Sequence, residues 1–166
     1  MDEKLRERIA AYAIDVVAGH LIRRCQQRAL EVFVAEVGED GPTSTQFAVL
    51  LNVFQNPGMS QTALVQASGI DRSTLTEILR RMIGRGLISR TRLKEDQRAN
   101  ALTLTRAGED MLATAFEGAD RTQDRILEPV PAELRATAIE ILFLLAGYET
   151  GAPARDKTRI KTDAPA

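Results

Sequence analysis

This chain of 166 residues has one cysteine, one histidine and no tryptophan. A single cysteine forbids an internal disulfide, which agrees with a reducing compartment. His20 and Cys25 are too few for a clustered His/Cys zinc set. No Ser-His-Asp constellation rises above chance, so catalysis finds no support and no cofactor is called for. No apolar run approaches the ~20 residues that span a bilayer. The opening stretch Met1-Asp2-Glu3-Lys4-Leu5-Arg6-Glu7-Arg8 is mixed in charge and lacks the apolar core of a signal peptide. A cytoplasmic protein is expected.

A strong excess of one charge is missing too. The formal net charge is −1, which looks wrong for a nucleic-acid binder until the charges are mapped. Residues 71–106 hold nine basic side chains against four acidic ones, a net of +5. The remainder holds 13 against 19, a net of −6. Phosphate binding needs a local positive surface, not a basic whole. On charge alone, arginines solvating a surface helix and hairpin would explain the map equally well.

What is present is helical periodicity with sharp punctuation. A first helical region is expected from about residue 4 to residue 37, with Gly19 as a joint. Ala18, Ile22, Cys25, Ala29, Val32 and Phe33 form an apolar stripe along it. Thr43 through Gln46 reads as a capping box opening a second helix, with Phe47, Leu50, Leu51 and Phe54 on its inner face. Ser60 caps a short helix, Gly69 suits the positive φ of a turn, and Asp71 caps a further helix that Gly86 breaks. Two helices joined by a short glycine turn have helix-turn-helix spacing.

The second helix of that pair is two-faced. Leu75, Ile78, Leu79 and Met82 point one way; Ser73, Thr76, Glu77, Arg80 and Arg81 point the other. Hydroxyls near a helix start reach phosphates or base edges, and arginines fork onto guanine. Two alternating strands follow. Ile88-Ser89-Arg90-Thr91-Arg92 and the segment after Arg98 bracket the polar loop Leu93-Lys94-Glu95-Asp96-Gln97-Arg98. An arginine-tipped ribbon beside a polar-faced helix lets a winged helix reach both DNA grooves. A long helix from about Arg106 to Glu128 comes next. After Pro129-Val130-Pro131 a last helix carries Ile139-Glu140-Ile141-Leu142-Phe143-Leu144-Leu145, apolar nearly all round, which must be covered. A second copy of the chain is the expected cover.

The chain resembles the MarR family of bacterial transcription regulators. The wing signature is met by Asp96, Arg98, Leu102, Leu104, Thr105 and Gly108. Ser60-Gln61-Thr62-Ala63-Leu64, Asp71-Arg72-Ser73-Thr74-Leu75-Thr76 and Gly84-Arg85-Gly86-Leu87-Ile88-Ser89-Arg90 are also similar to the family. The resemblance covers residues 16–148. It implies an obligate homodimer with intertwined terminal helices and two winged lobes on a palindromic operator. It implies that Arg98 enters the minor groove while Asp96 pairs with it or with a neighbour. Many family wings carry a further arginine where Gln97 stands here, with Lys94 and Arg92 left to compensate.

The expected fold is all-α with a small two-stranded β-wing, a winged helix-turn-helix with N- and C-terminal dimerisation helices. Residues 1–15 form a leading segment, 16–148 the domain, and 149–166, which lack periodicity, a disordered tail. The candidate DNA contacts on the helix are Arg72, Ser73, Thr74, Thr76, Arg80 and Arg81. Those on the wing are Arg90, Arg92, Lys94 and Arg98. His20, Arg23 and Gln27 share one face of the first helix and interrupt the apolar line Val16, Leu30, Val34. Either a wet cavity or a polar packing contact between subunits explains them. The resemblance implies an effector site here, for a small aromatic carboxylate or its coenzyme A thioester. His20, Arg23, Arg24 and Gln27 would hold the anion, and Phe47 and Leu51 would line the slot. One branch of the family senses oxidants through an N-terminal cysteine. Cys25 lies in the apolar stripe, where a thiol acts as a small hydrophobe, though Arg24 and Arg28 are near in sequence. The expected function is sequence-specific repression relieved by ligand. The alternatives are a winged-helix protein-interaction module that does not bind DNA, and a redox regulator acting through Cys25.

Overall fold

A computed structural model of the chain describes residues 1–92 and 100–148. The wing-tip residues Lys94, Asp96, Gln97 and Arg98 and the tail 149–166 lie outside them. The chain divides into two compact units, residues 1–122 and residues 123 onward.

The first unit opens with helix α1, Glu3–Ala10, and continues with α2, Ala18–Val37. The single helical region expected over 4–37 is therefore interrupted, and not at Gly19, which sits in the first turn of α2. The break falls at residues 11–17, where a 3-10 turn spans Ile14–Val16 between extended residues at Ala13 and Val17. Three β-branched residues in four (Ile14, Val16, Val17) lose side-chain freedom in a helix and weaken it there. Of the apolar stripe on α2 only Phe33 is buried, while Ile22 is half-exposed. Cys25 is exposed, so it is not the buried hydrophobe the stripe suggested.

Helices α3, Ser44–Gln55; α4, Gln61–Ser68; and α5, Arg72–Gly84, follow with the punctuation the residues announce. Thr43 Oγ1 accepts from the Gln46 N–H at 3.2 Å, and Gln46 Oε1 accepts from the Thr43 N–H at 3.1 Å. Ser60 caps α4, Gly69 ends it with φ at +67°, and Asp71 accepts from the Thr74 N–H to cap α5. Inward, Val49, Leu50 and Val53 of α3 meet Leu64 of α4 and Leu75, Leu79 and Met82 of α5. Burial of each such side chain contributes about 1.5–3 kcal/mol. Phe54 does not join them and is 56% exposed. With Phe47 and Leu51 it lies at i, i+4, i+7 on an adjoining face, on which only Phe47 and Leu51 are half-buried.

Strands β1, Ile88–Arg92, and β2, Asn100–Leu104, pair antiparallel with Ile88 opposite Leu104 and Arg92 opposite Asn100. Leu87, Ile88 and Leu102 plug the ribbon into the same core. Leu102 also exchanges backbone hydrogen bonds with the turn after α3. Its N–H donates to Met59 at 3.0 Å, and its carbonyl accepts from Gly58 at 2.8 Å. Helix α6, Arg106–Leu127, begins at the ribbon's end, and the Thr105 hydroxyl accepts from the Gly108 N–H at 3.2 Å. A Cβ at Gly108 would overlap the Leu87 carbonyl oxygen, which explains the glycine of the wing signature. Arg121 of α6 pairs with Glu36 of α2 at 2.9 Å.

In the second unit a 3-10 turn at Ala132–Leu134 leads into α7, Arg135–Leu145. Nothing on α7 is buried; Ile141, Leu142, Leu144 and Leu145 stand 46–62% exposed. Among the described residues no helix is long and apolar enough to cross a membrane.

Candidate nucleic-acid interface

The outer face of α5 is built from polar residues whose hydrogen bonds are largely made within the protein. Asp71 is held well below the usual carboxylate range, first by the Ser73 hydroxyl, which donates to it at 2.5 Å, and then by Thr74. The Thr76 hydroxyl donates to the Arg72 carbonyl at 2.7 Å. Ser73 and Thr76, expected as free DNA contacts, thus also serve the helix itself. Both remain exposed, as do Arg72 and Thr74.

Further along the helix Glu77 faces Arg80 and Arg81. Its Oε2 accepts from Arg80 Nε at 2.9 Å, and its Oε1 accepts from Arg80 Nη2 at 2.8 Å. Arg81 Nε donates to the same Oε1 at 2.8 Å. These partners, Arg80 above all, lower the Glu77 carboxyl from 4.5 to about 2. The carboxylate in turn raises the affinity of Arg80 for its proton. The guanidinium-bearing side chains stay 72% and 66% exposed, so this is a surface cluster.

The wing is tied to this face through Gln61, at the start of α4. Its Nε2 donates to Thr76 Oγ1 at 2.8 Å, and its Oε1 accepts from Arg90 Nη2 at 3.2 Å. One side chain therefore joins α4, α5 and β1, and sets the exposed Arg90 beside the exposed face of α5. The residue types give no hint of this role for Gln61. A contact 29 residues apart leaves no spacing to read. The Glu77 cluster, by contrast, is legible at spacings of three and four. Arg92 closes β1 through its backbone, while Lys94 and Arg98 lie beyond the described residues.

The expected effector residues fall into two groups. On α2 the half-buried His20 accepts from Arg23 at 3.2 Å through Nδ1, and Gln27 donates to Glu31 at 2.9 Å. Arg23, Arg24 and Gln27 are exposed. On α3 the Phe47 ring packs on Phe33, with centroids 5.9 Å apart and planes tilted by 58°. Phe33 is ten residues beyond Arg23, or about 15 Å along the helix axis at 1.5 Å per residue. The cations and the aromatic contact therefore sit at different levels of α2.

Two helices joined at Gly69, the second presenting arginines, with a ribbon fastened alongside, define a winged helix-turn-helix DNA-binding protein. The MarR family model matches residues 43–99. The transcriptional regulator HosA of Escherichia coli O157:H7 is 33% identical over 100 residues, covering 60% of this chain and 74% of HosA. The PcaV transcriptional regulator of Streptomyces coelicolor, crystallised with its natural ligand, superposes with a TM-score of 0.77 at 31% identity, covering 82% of this chain and 96% of that one. The repressor CouR bound to a 23-mer DNA duplex gives a TM-score of 0.71 at 34% identity, covering 80% and 94%. CouR has also been solved bound to p-coumaroyl-CoA. The chain belongs to the MarR family of transcriptional regulators.

Proposed function

We propose that this chain is a cytoplasmic repressor that binds a palindromic operator as a homodimer and leaves it when an anionic aromatic ligand binds. Residues 16–148 make up the working regulator. The observation that carries the DNA-binding half is the Gln61 junction, which joins exposed arginine-bearing surfaces of α5 and the wing. Arg72, Ser73 and Thr74 at the start of α5 contact phosphates, with Thr76, Arg80 and Arg81 directed at bases of the major groove. Arg90, Arg92 and Lys94 track the backbone, and Arg98 enters the minor groove. CouR bound to a DNA duplex supports DNA binding by this fold.

Dimerisation is supported by apolar side chains that the single chain leaves open. Leu5 and Ile9 on α1 are 44% and 57% exposed, and α7 is apolar on almost every side. Covering such surface is what a homodimer interface does.

The ligand is an aromatic acid, free or as its coenzyme A thioester, held by His20, Arg23, Arg24 and Gln27 at its charged end. Phe47 and Leu51 face its apolar end from the half-buried flank of α3. Arginine forks suit carboxylate and phosphate alike. CouR with p-coumaroyl-CoA supports the thioester, and PcaV with its natural ligand supports control by a bound ligand. Binding lowers operator affinity, so by linkage the ligand prefers free dimer to DNA-bound dimer. Calorimetry with a panel of aromatic acids and their thioesters, with and without operator DNA, tests this. Retained binding in the Arg23→Ala, Arg24→Ala double variant, or a ligand without effect on DNA affinity, would remove the site.

A further inference from the structure

Helix α5 carries a carboxylate clamped onto both Arg80 and Arg81. Glu77 takes two donors from Arg80 and one from Arg81, all at 2.8–2.9 Å. A guanidinium has five N–H donors, so Arg80 keeps three and Arg81 four for a partner outside the helix. One of the two positive charges is cancelled, and both guanidinium groups are turned towards the one carboxylate. A phosphate met by the free donors sits beside the Glu77 carboxylate, which offsets part of its attraction, and for either arginine to leave Glu77 for a lone phosphate exchanges one charge-assisted pair for another. It also turns the freed carboxylate towards a polyanion. The exchange is balanced only where DNA offers a bidentate acceptor such as guanine O6/N7 together with a donor for Glu77. The cytosine amino group is such a donor.

Resting on the reading that α5 enters DNA, we infer that Glu77 is a specificity-determining residue of this regulator. It restrains Arg80 and Arg81 from indiscriminate phosphate contact and yields them only to a matching base step. It acts through the two arginines, not as an isolated negative charge. Discrimination is gained at the expense of affinity for DNA in general.

The test uses the full chain and two duplexes. One is selected by the parent from a random-sequence library; the other is a scramble of the same composition. Both are titrated at about 50 and about 200 mM salt, the range over which phosphate contacts separate proteins. Glu77→Gln is expected to bind the scramble several-fold more tightly. Its log–log salt slope should steepen by about 1 per chain, one added phosphate contact. The ratio between the two duplexes should narrow. In an Arg80→Ala, Arg81→Ala background the same substitution should leave affinity for the scramble unchanged. An unaltered slope and ratio would overturn the assignment. So would an equal effect with the arginines absent, since Glu77 would then be a bare surface charge. If the parent itself selects no duplex, the DNA-binding reading of α5 fails first and takes this inference with it.

Discussion

The Thr105 hydroxyl donates to the Gly86 carbonyl at 2.5 Å, closing the ribbon against the end of α5. The same oxygen accepts from the Gly108 N–H and starts α6. The Leu-Thr-x-x-Gly part of the wing signature thus has a structural cause at each fixed position: Leu104 pairs with Ile88, Thr105 pins two elements, and Gly108 admits the Leu87 carbonyl.

Thr105→Val keeps the shape of the side chain and loses both hydrogen bonds. A cost of about 0.5–1.5 kcal/mol per hydrogen bond is expected, because water can reach the exposed Gly86 carbonyl. Gly108→Ala should cost at least as much, because a fixed carbonyl blocks the added methyl and overpacking runs to ~1–3 kcal/mol. Urea denaturation reads both as a lower midpoint at unchanged slope. A Gly108→Ala protein as stable as the parent would mean that the close approach relaxes freely.

On the proposed minor-groove role, Arg98→Ala should weaken operator binding by ~1–3 kcal/mol, the worth of a well-placed base contact. Self-association should be untouched. Equal affinity for parent and variant at matched salt would end the minor-groove assignment.

Leu145 is 62% exposed on a helix with nothing buried in the single chain. If a second copy covers it, Leu145→Glu places an unpaired carboxylate in an apolar contact. Dimer stability and DNA binding should then fall together, because the dimer sets half-site spacing. Sedimentation of the variant as an ordinary dimer would move the interface elsewhere.

The Glu77 cluster predicts a pH dependence of defined sign. The carboxyl falls from 4.5 to about 2 in the folded chain, chiefly through Arg80 and then Arg81. A depressed folded value means that the contribution is fully present above 4.5 and is lost as pH falls towards about 2. A carboxyl-resolved NMR titration should therefore place the Glu77 midpoint low, and Arg80→Ala should move it back up. A midpoint at 4.5 in the parent would show that the fork does not persist in solution.

Local chemistry made much of this fold legible. Thr43, Ser60, Gly69 and Asp71 act within three or four residues of themselves, so their capping and turn roles can be read along the chain. The break at residues 11–17 was harder, since neither proline nor glycine marks it. Phe54 shows that an apolar residue beside a helix's inner stripe need not belong to it. Ile22 and Cys25 follow a helical period, but periodicity does not say whether this chain or another surface covers the stripe. The candidate contacts on α5 were readable from its two-faced pattern. Gln61 was not, because its role depends on elements that only folding brings together.

The divided amide of Gln61 has a kinetic consequence. On the proposed reading of α5 and the ribbon as DNA-binding surfaces, a helix and a ribbon fastened to one another cannot approach two grooves independently, so the orientation of one already fixes the other. Less rotational freedom remains to be lost at encounter, which lowers the entropic cost of association. Departure should likewise be concerted: a lobe gripping by its ribbon alone is not a resting stage on the way off. Gln61→Ala would leave the ribbon seated through Leu87, Ile88 and Leu102 and loosen only the Thr76 and Arg90 side chains, so it should speed departure without adding a second phase.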